Sequence, residues 1–348
     1  MLMDRMDSLH NVEKWDPKTN RRLWSANHEE IIKGGTTDIY FVRTQEILNH
    51  MNYGDTEVTV EIFPSRPGIM AGTEEALGLM ADAHNLEIWA LPEGETFDKK
   101  EVIMRIKGPY QEIGIYETPL LGILASSAGW AEAARECREI VGEDKQLVCF
   151  GARHLHPAVA PVMERAALVG GFDGCSCILG AKLKDQKPMG TVPHAVFLIV
   201  GDTVRVAEAY HQAMPGEAPR IILVDTFKDE AEEALRVARS LDDDLAGVRL
   251  DTPSERGGVT PGLVREVRAR LNQEGFDHVK ILASGGMNPD KISRLIDEGV
   301  DAFGVGSYIA RSKANDMTMD IKEVNGKPIA KRGRIPGIVN SEKLLKMK

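Results

Sequence analysis

The sequence predicts an α/β fold, with a parallel sheet connected by helical crossovers and a smaller β-rich domain beside it. Three observations predict it. From residue 119 onward, short apolar segments alternate with amphipathic ones. Residues 56–118 instead carry alternating strand-like segments broken by Gly and Pro, such as "TEVTVEIFP" and "LEIWALPEGETF". The tail from residue 316 returns to that β texture around "VNGKP".

Each element has its own signal. "PLLGILASSAGWAEAARECREIVG" has apolar residues at helical spacing and opens the alternating region. Six strand-like runs follow: "QLVCFGA", "GCSCILGA", "RIILVDTF", "AGVRLDTP", "HVKILASGG" and "DAFGVGS". Among the helices between them, "TPGLVREVRARLNQEG" is the best marked. Thr260 caps it, Pro261 takes its first position and Gly275 ends it. Six strands fall short of an eight-stranded barrel, so the sheet is open or closes with weak members. A helix is expected near 73–84, among the strands of the β-rich part. The predicted organisation is a helical segment over 1–50 packing with the α/β part, a β-rich domain over 51–118, the α/β domain over 119–315 and a returning tail over 316–348.

The chain has 348 residues, is 43% hydrophobic and 28% charged, and has a formal net charge of -10. That is ordinary globular composition, and the acidic balance argues against nucleic acid or a membrane surface as partner. The N-terminus is too charged for a signal peptide, and no apolar run reads as a membrane span, so a cytoplasmic location is expected. Cys137, Cys149, Cys175 and Cys177 suggest structural thiols rather than a zinc site or a disulfide framework.

The chemistry-bearing residues fall at strand ends. They are Arg153 and His154, Asp173, Asp225, Arg249 with Asp251, the pair Gly285 and Gly286 after Ser284, and Gly304 and Gly306 before Ser307. In a parallel barrel, functional groups project from such ends. The two glycine turns, each opening a helix, suit an anion such as phosphate, although one G-x-G alone is equally a tight turn. In "KPMGTVPHA", Thr191 is expected to cap a helix with His194 in its first turn. A neutral imidazole beside an anion site is a competent nucleophile toward a phosphoryl group; the plainer reading is a histidine bonded to a backbone carbonyl.

These stretches, with "TTDIYFVRTQEIL", "YETPLLGIL", "FGARHLHP", "GGFDGCS", "LVDTF", "RLDTPSERGG" and "GVGSYI", resemble nicotinate phosphoribosyltransferase. The resemblance places the chain in the group that also holds the nicotinamide and quinolinate phosphoribosyltransferases. It implies an irregular (β/α) barrel with a β-rich sandwich domain, working as a homodimer with shared active sites. It implies phosphoribosyl transfer from PRPP to nicotinate in NAD salvage, with Mg2+, and with ATP consumed through a phosphohistidine. In that carry-over His194 is the phosphorylated residue and Asp225 orients it. Phe150 and Tyr40 sandwich the pyridine ring, with Tyr40 from the neighbouring subunit. Arg153 meets the ring carboxylate, and Asp173 stands where a nicotinamide-using relative bonds an amide. Arg249 and Asp251 lie around the base and ribose. Gly285, Gly286, Gly304, Gly306 and Ser307 cradle the phosphate, with His154 as a second cation. A cysteine-rich zinc tail is not expected. The rival readings are quinolinate or nicotinamide phosphoribosyltransferase and, from another class, a sugar-phosphate-binding barrel.

Overall fold

The structure is a computed structural model that describes residues 3–17 and 21–348. The strands, in chain order, are β1 (Glu57–Pro64), β2 (Gly68–Ile69), β3 (Glu87–Ala90), β4 (Thr96–Phe97) and β5 (Met104–Pro109). Next come β6 (Gln146–Cys149), β7 (Gly174–Cys175), β8 (Ile221–Leu223), β9 (Gly247–Leu250), β10 (Lys280–Ala283) and β11 (Ala302–Val305). The last are β12 (Met317–Val324), β13 (Lys327–Pro328) and β14 (Leu345–Lys346). The chain divides into two compact units, Met1–Glu132 with Lys313–Lys348, and Ala133–Ser312.

In the first unit, β13-β12-β1-β5-β3-β14 form one sheet whose pairings are antiparallel, and β2 and β4 form a separate pair. Alternation puts Val58, Val60 and Ile62 of β1 beside Ile88 of β3 and Ile106 of β5 in one core. That core is completed by Ala76 and Leu79 of helix Thr73–Leu79 and by Leu120 and Leu124 of helix Glu117–Val141. The expected sandwich is thus one large sheet backed by helices, with a short strand pair in place of a second full sheet. The helices within residues 1–50, which the sequence placed against the barrel, cluster with this unit. Met6 is buried there, its N–H bonds the Lys33 carbonyl at 2.7 Å, and the Asp38 N–H bonds Thr118 Oγ1 at 3.2 Å.

In the second unit, β7-β6-β11-β10-β9-β8 form a parallel sheet, and these are the six runs read from the sequence. The strands are nearly all apolar, as parallel strands covered on both faces must be. Helices Glu230–Leu241 and Pro261–Gln273 bury Ala234, Val237, Val264 and Val267. Thr260 caps the latter by accepting from the Leu263 N–H, and Gly275 beyond its end takes φ +85°. Among the described residues the edge strands β7 and β8 have no partner on their outer sides, so the sheet is a half-barrel rather than a closed one.

A repeated clip holds the N-terminal ends of these strands. Arg138 Nη2 donates to Asp173 Oδ2, which also accepts the Leu147 N–H of β6 at 2.7 Å. Arg268 Nη2 donates at 2.8 Å to Asp301 Oδ2, which accepts the Ile281 N–H of β10 at 2.7 Å. Both aspartates directly precede or lead into a strand, in "GFDG" and "GVDA". Asp173 therefore lies at the opposite end of the sheet from the strand ends that carry the other candidate residues. Its expected place beside the ring substituent is corrected accordingly: its carboxylate is committed to Arg138 and a backbone N–H. We predict that Asp173→Ala lowers the thermal unfolding midpoint, by an amount equivalent to about 1 kcal/mol, without changing ligand selectivity. An unchanged midpoint with altered selectivity contradicts the assignment.

Candidate active site

The C-terminal ends of β6, β8, β9, β10 and β11 carry the candidate residues. Sheet order decides which residues meet there. β6, β11, β10 and β9 are successive neighbours, so Phe150, Gly304, Ser284 and Arg249 follow one another on one face of the sheet. The Phe150 N–H bonds the Val305 carbonyl at 2.8 Å, extending the β6–β11 ladder by one residue. A Cβ at Gly304 would lie 2.5 Å from Phe150 Cε2, and one at Gly306 would lie 2.6 Å from the Phe150 carbonyl O. These two glycines thus make room for Phe150, a reason the sequence did not reveal when they were assigned to a phosphate cradle.

Arg249 lies over the Phe150 ring, its Cζ 4.8 Å from the centroid. Such a contact is worth roughly 1–2 kcal/mol when desolvated. Arg249 Nε donates to Ser284 Oγ at 2.9 Å, Nη1 donates to Thr191 Oγ1 at 2.9 Å, and Nη2 is 3.5 Å from Asp251 Oδ2. Burial pulls its pKa down against the opposing pull of Asp251 and Asp225, so the site holds a desolvated cation. Ser284 is buried, and its Oγ donates to Asp251 Oδ1 at 2.8 Å. Thr191 is therefore an Arg249 partner and not a helix cap. The helix His194–Val200 begins after Pro193, whose extended backbone takes the cap position with no side-chain bond.

At the end of β8, His194 Nε2 is 3.0 Å from Asp225 Oδ2. Asp225 is almost fully enclosed, and its Oδ1 is buried without a hydrogen-bond partner. Gly285 and Gly286 have φ of +84° and +66°, a left-handed turn closed to most side chains, and a Cβ at Gly285 would stand 3.0 Å from Asp251 Oδ1. Lys291 reaches back from helix Pro289–Leu295 to donate to the Gly285 carbonyl at 2.8 Å, and burial lowers its pKa. It was missed in the sequence, although a lysine one helical turn after a glycine pair is a readable signal.

Arg153 and His154 are exposed in the short helix Ala152–His154. Burial, and then the charges of Arg153 and Arg311, lower the His154 pKa, so it is a poor resident cation. Ser307 begins the short helix Ser307–Ala310. Tyr40 belongs to the other unit, where it is exposed on helix Ile39–His50 and packs on Phe41 with centroids 4.3 Å apart. Phe150 also lines an open pocket of about 450 Å3 together with Val148, Leu282, Ala302, Met189 and Tyr210 among others. Among the described residues no group of three or more His, Cys, Asp and Glu is placed to hold a metal, and no helix is long and apolar enough to cross a membrane.

Burial raises the Asp225 pKa more than His194 lowers it. Its ionised form therefore costs more in the folded than in the unfolded chain. That cost is absent below the unfolded value of about 3.9 and fully present once the pH exceeds the folded value. We predict that Asp225→Asn raises the unfolding midpoint near pH 8 and gives no gain near pH 3.5. A midpoint at or below wild type near pH 8 contradicts this.

Two family models match the chain: the N-terminal domain of quinolinate phosphoribosyl transferase over residues 38–128, and its C-terminal domain over residues 130–320. A solved structure, the nicotinate-nucleotide pyrophosphorylase from Pyrococcus furiosus, is 43% identical with a TM-score of 0.86, covering 91% of this chain and 82% of that one. Human nicotinic acid phosphoribosyltransferase is 19% identical with a TM-score of 0.70, covering 87% of this chain and 77% of that one, which is a likeness of fold. The nicotinate phosphoribosyltransferase of Bacillus subtilis is 29% identical over 226 residues, 64% of this chain but 45% of its own length. The chain thus spans about half the length of the curated relatives it matches. The expected membership among the nicotinate phosphoribosyltransferases is overturned by the domain models, which match across both units. By those matches the chain belongs to the quinolinate phosphoribosyl transferase family.

Proposed function

We propose that the chain transfers phosphoribosyl from PRPP to a pyridine carboxylate of the quinolinate class, releasing pyrophosphate on the route to NAD. The observation that carries this reading is the Arg249 cation lying over the Phe150 ring at the strand ends. A flat anionic ring is recognised by an aromatic face together with a fork-shaped cation. Exposed Arg153, three residues beyond Phe150, is a further cation for a carboxylate. The two domain models support quinolinate over nicotinate as the ring, and the 43% identical structure supports a nicotinate nucleotide as the product.

In the reaction the pyridine nitrogen lone pair forms a bond to C1′ while the C1′–O bond to pyrophosphate breaks. With quinolinate, the carboxyl next to the nitrogen then leaves as CO2, and the electron pair left on the ring carbon takes a proton. Positive charge develops on the ribose, so Asp251, held by Ser284 and Arg249, is placed to stabilise it. Gly285, Gly286 and Lys291 are assigned to the phosphates. Magnesium typically takes one or two carboxylates plus phosphate oxygens and water. The unpartnered Asp225 Oδ1, within the field of Asp251, fits that need with PRPP supplying the remaining oxygens. The ion would supply charge neutralisation of the leaving pyrophosphate. A homodimer belongs to this reading, with exposed Tyr40 of a second copy as the other face of the ring sandwich.

A second reading has the His194–Asp225 pair behind it. An ionised Asp225 accepts from Nε2–H, leaving the Nδ1 lone pair as nucleophile toward ATP. One assay separates the two: the purified protein with PRPP and quinolinate, nicotinate or nicotinamide, each with and without ATP. The expected result is quinolinate-dependent release of pyrophosphate and CO2 without ATP. Turnover of nicotinate or nicotinamide in place of quinolinate contradicts the proposal, and ATP-dependent, acid-labile phosphate on His194 establishes the second reading.

A further inference from the structure

We infer that Glu164 is the positioning residue of the ring subsite, a buried carboxylate that locks the ends of β6 and β7 to each other. The inference rests on the proposed reading of Phe150 and Arg249 as the ring-binding pair. Glu164 lies in helix Ala160–Val169 and is 0% exposed. Its Oε1 accepts the Gly151 and Ala152 N–H groups at 2.9 Å each and Ser176 Oγ at 3.2 Å, and its Oε2 accepts the Cys177 N–H at 2.5 Å. Two of these donors immediately follow Phe150. The other two follow β7, on the path to helix Ile178–Lys182 and then to Thr191.

The arrangement has a physical logic. A strand end that turns away from its sheet leaves N–H groups without a ladder partner, and a buried unpaired donor costs about 1–3 kcal/mol. A carboxylate is an acceptor with no hydrogen of its own, so one side chain satisfies all four donors. The fit leaves no slack: a Cβ at Gly151 would lie 2.5 Å from Met163 Cε, and one at Gly180 would lie 3.2 Å from Glu164 Cβ. The two turns are thereby fixed against one helix. They carry Phe150 on one side and lead to Thr191 on the other, and both of those residues touch Arg249. Glu164 touches no ring itself; it sets where the ring-binding groups stand.

The chemistry of glutamine makes this testable. In Glu164→Gln the amide oxygen can face the three donors at Oε1, which sets the NH2 against the Cys177 N–H. That variant loses the Cys177 bond alone and keeps the Ser176 bond at the β7 end, whereas Glu164→Ala loses all four. We expect calorimetric titration to show quinolinate binding weakened roughly tenfold in Glu164→Gln and about a hundredfold in Glu164→Ala, with PRPP binding unchanged in both. Amide exchange at Gly151 and Ala152 should quicken in Glu164→Ala and not in Glu164→Gln. Wild-type quinolinate affinity in either folded variant, or equal losses for quinolinate and PRPP, overturns the inference. If Glu164→Ala does not fold, Glu164→Gln decides by the same two titrations. If the wild type itself binds no quinolinate, the proposed function fails, and the exchange rates then decide the role of Glu164 on their own.

Discussion

Phe150 can stand under Arg249 only because the neighbouring strand carries no side chain at residues 304 and 306. With a Cβ at either glycine, the ring or its backbone would be struck at 2.5 or 2.6 Å, distances no neighbour tolerates. The rest of the site is arranged around that contact. Ser284 and Thr191 hold two edges of the Arg249 guanidinium, Asp251 balances its charge, and Ser284 in turn fixes Asp251. Four side chains from three segments thus share one hydrogen-bond network. Networks of this kind are rigid when every member is satisfied.

The same half-barrel separates its two ends by chemistry. At the N-terminal end, Arg138 and Arg268 are neutralised by Asp173 and Asp301, and those carboxylates also take strand N–H groups. At the C-terminal end, Arg249 and Lys291 are desolvated, and Asp225 keeps an unpartnered oxygen. Satisfied ion pairs hold a sheet together, whereas a buried oxygen without a partner marks a place where a ligand completes the set.

Much of this was legible in the sequence. The six parallel strands stood out as apolar runs, and Asp225, Asp251, Gly285 and Gly286 were readable because they follow such runs; Arg249 stood out as a charge within one, and Phe150 was marked only by the family resemblance. Asp173 misled because an acid before a strand and an acid after one look alike until the strand is placed. Gly304 and Gly306 showed only as a glycine motif, since the ring they admit comes from a segment about 150 residues away. Thr191 looked like a cap because its bond to Arg249 spans segments that no local pattern links. Glu164 was hidden among the apolar residues of its helix: nothing in a linear pattern marks a carboxylate as buried. The irregular barrel and the β-rich sandwich domain followed from family resemblance; strand pairing gives a half-barrel of six parallel strands and one antiparallel sheet backed by helices.

The central claim, that Phe150 held by Gly304 beneath Arg249 is the platform for a pyridine carboxylate, is tested most directly by titrating Gly304→Ala with quinolinate and with PRPP. The added methyl is expected to displace the Phe150 ring, lower the unfolding midpoint by an amount equivalent to about 1–2 kcal/mol and weaken quinolinate binding about a hundredfold, leaving PRPP binding close to wild type. Quinolinate affinity equal to wild type in a folded Gly304→Ala protein would contradict the account.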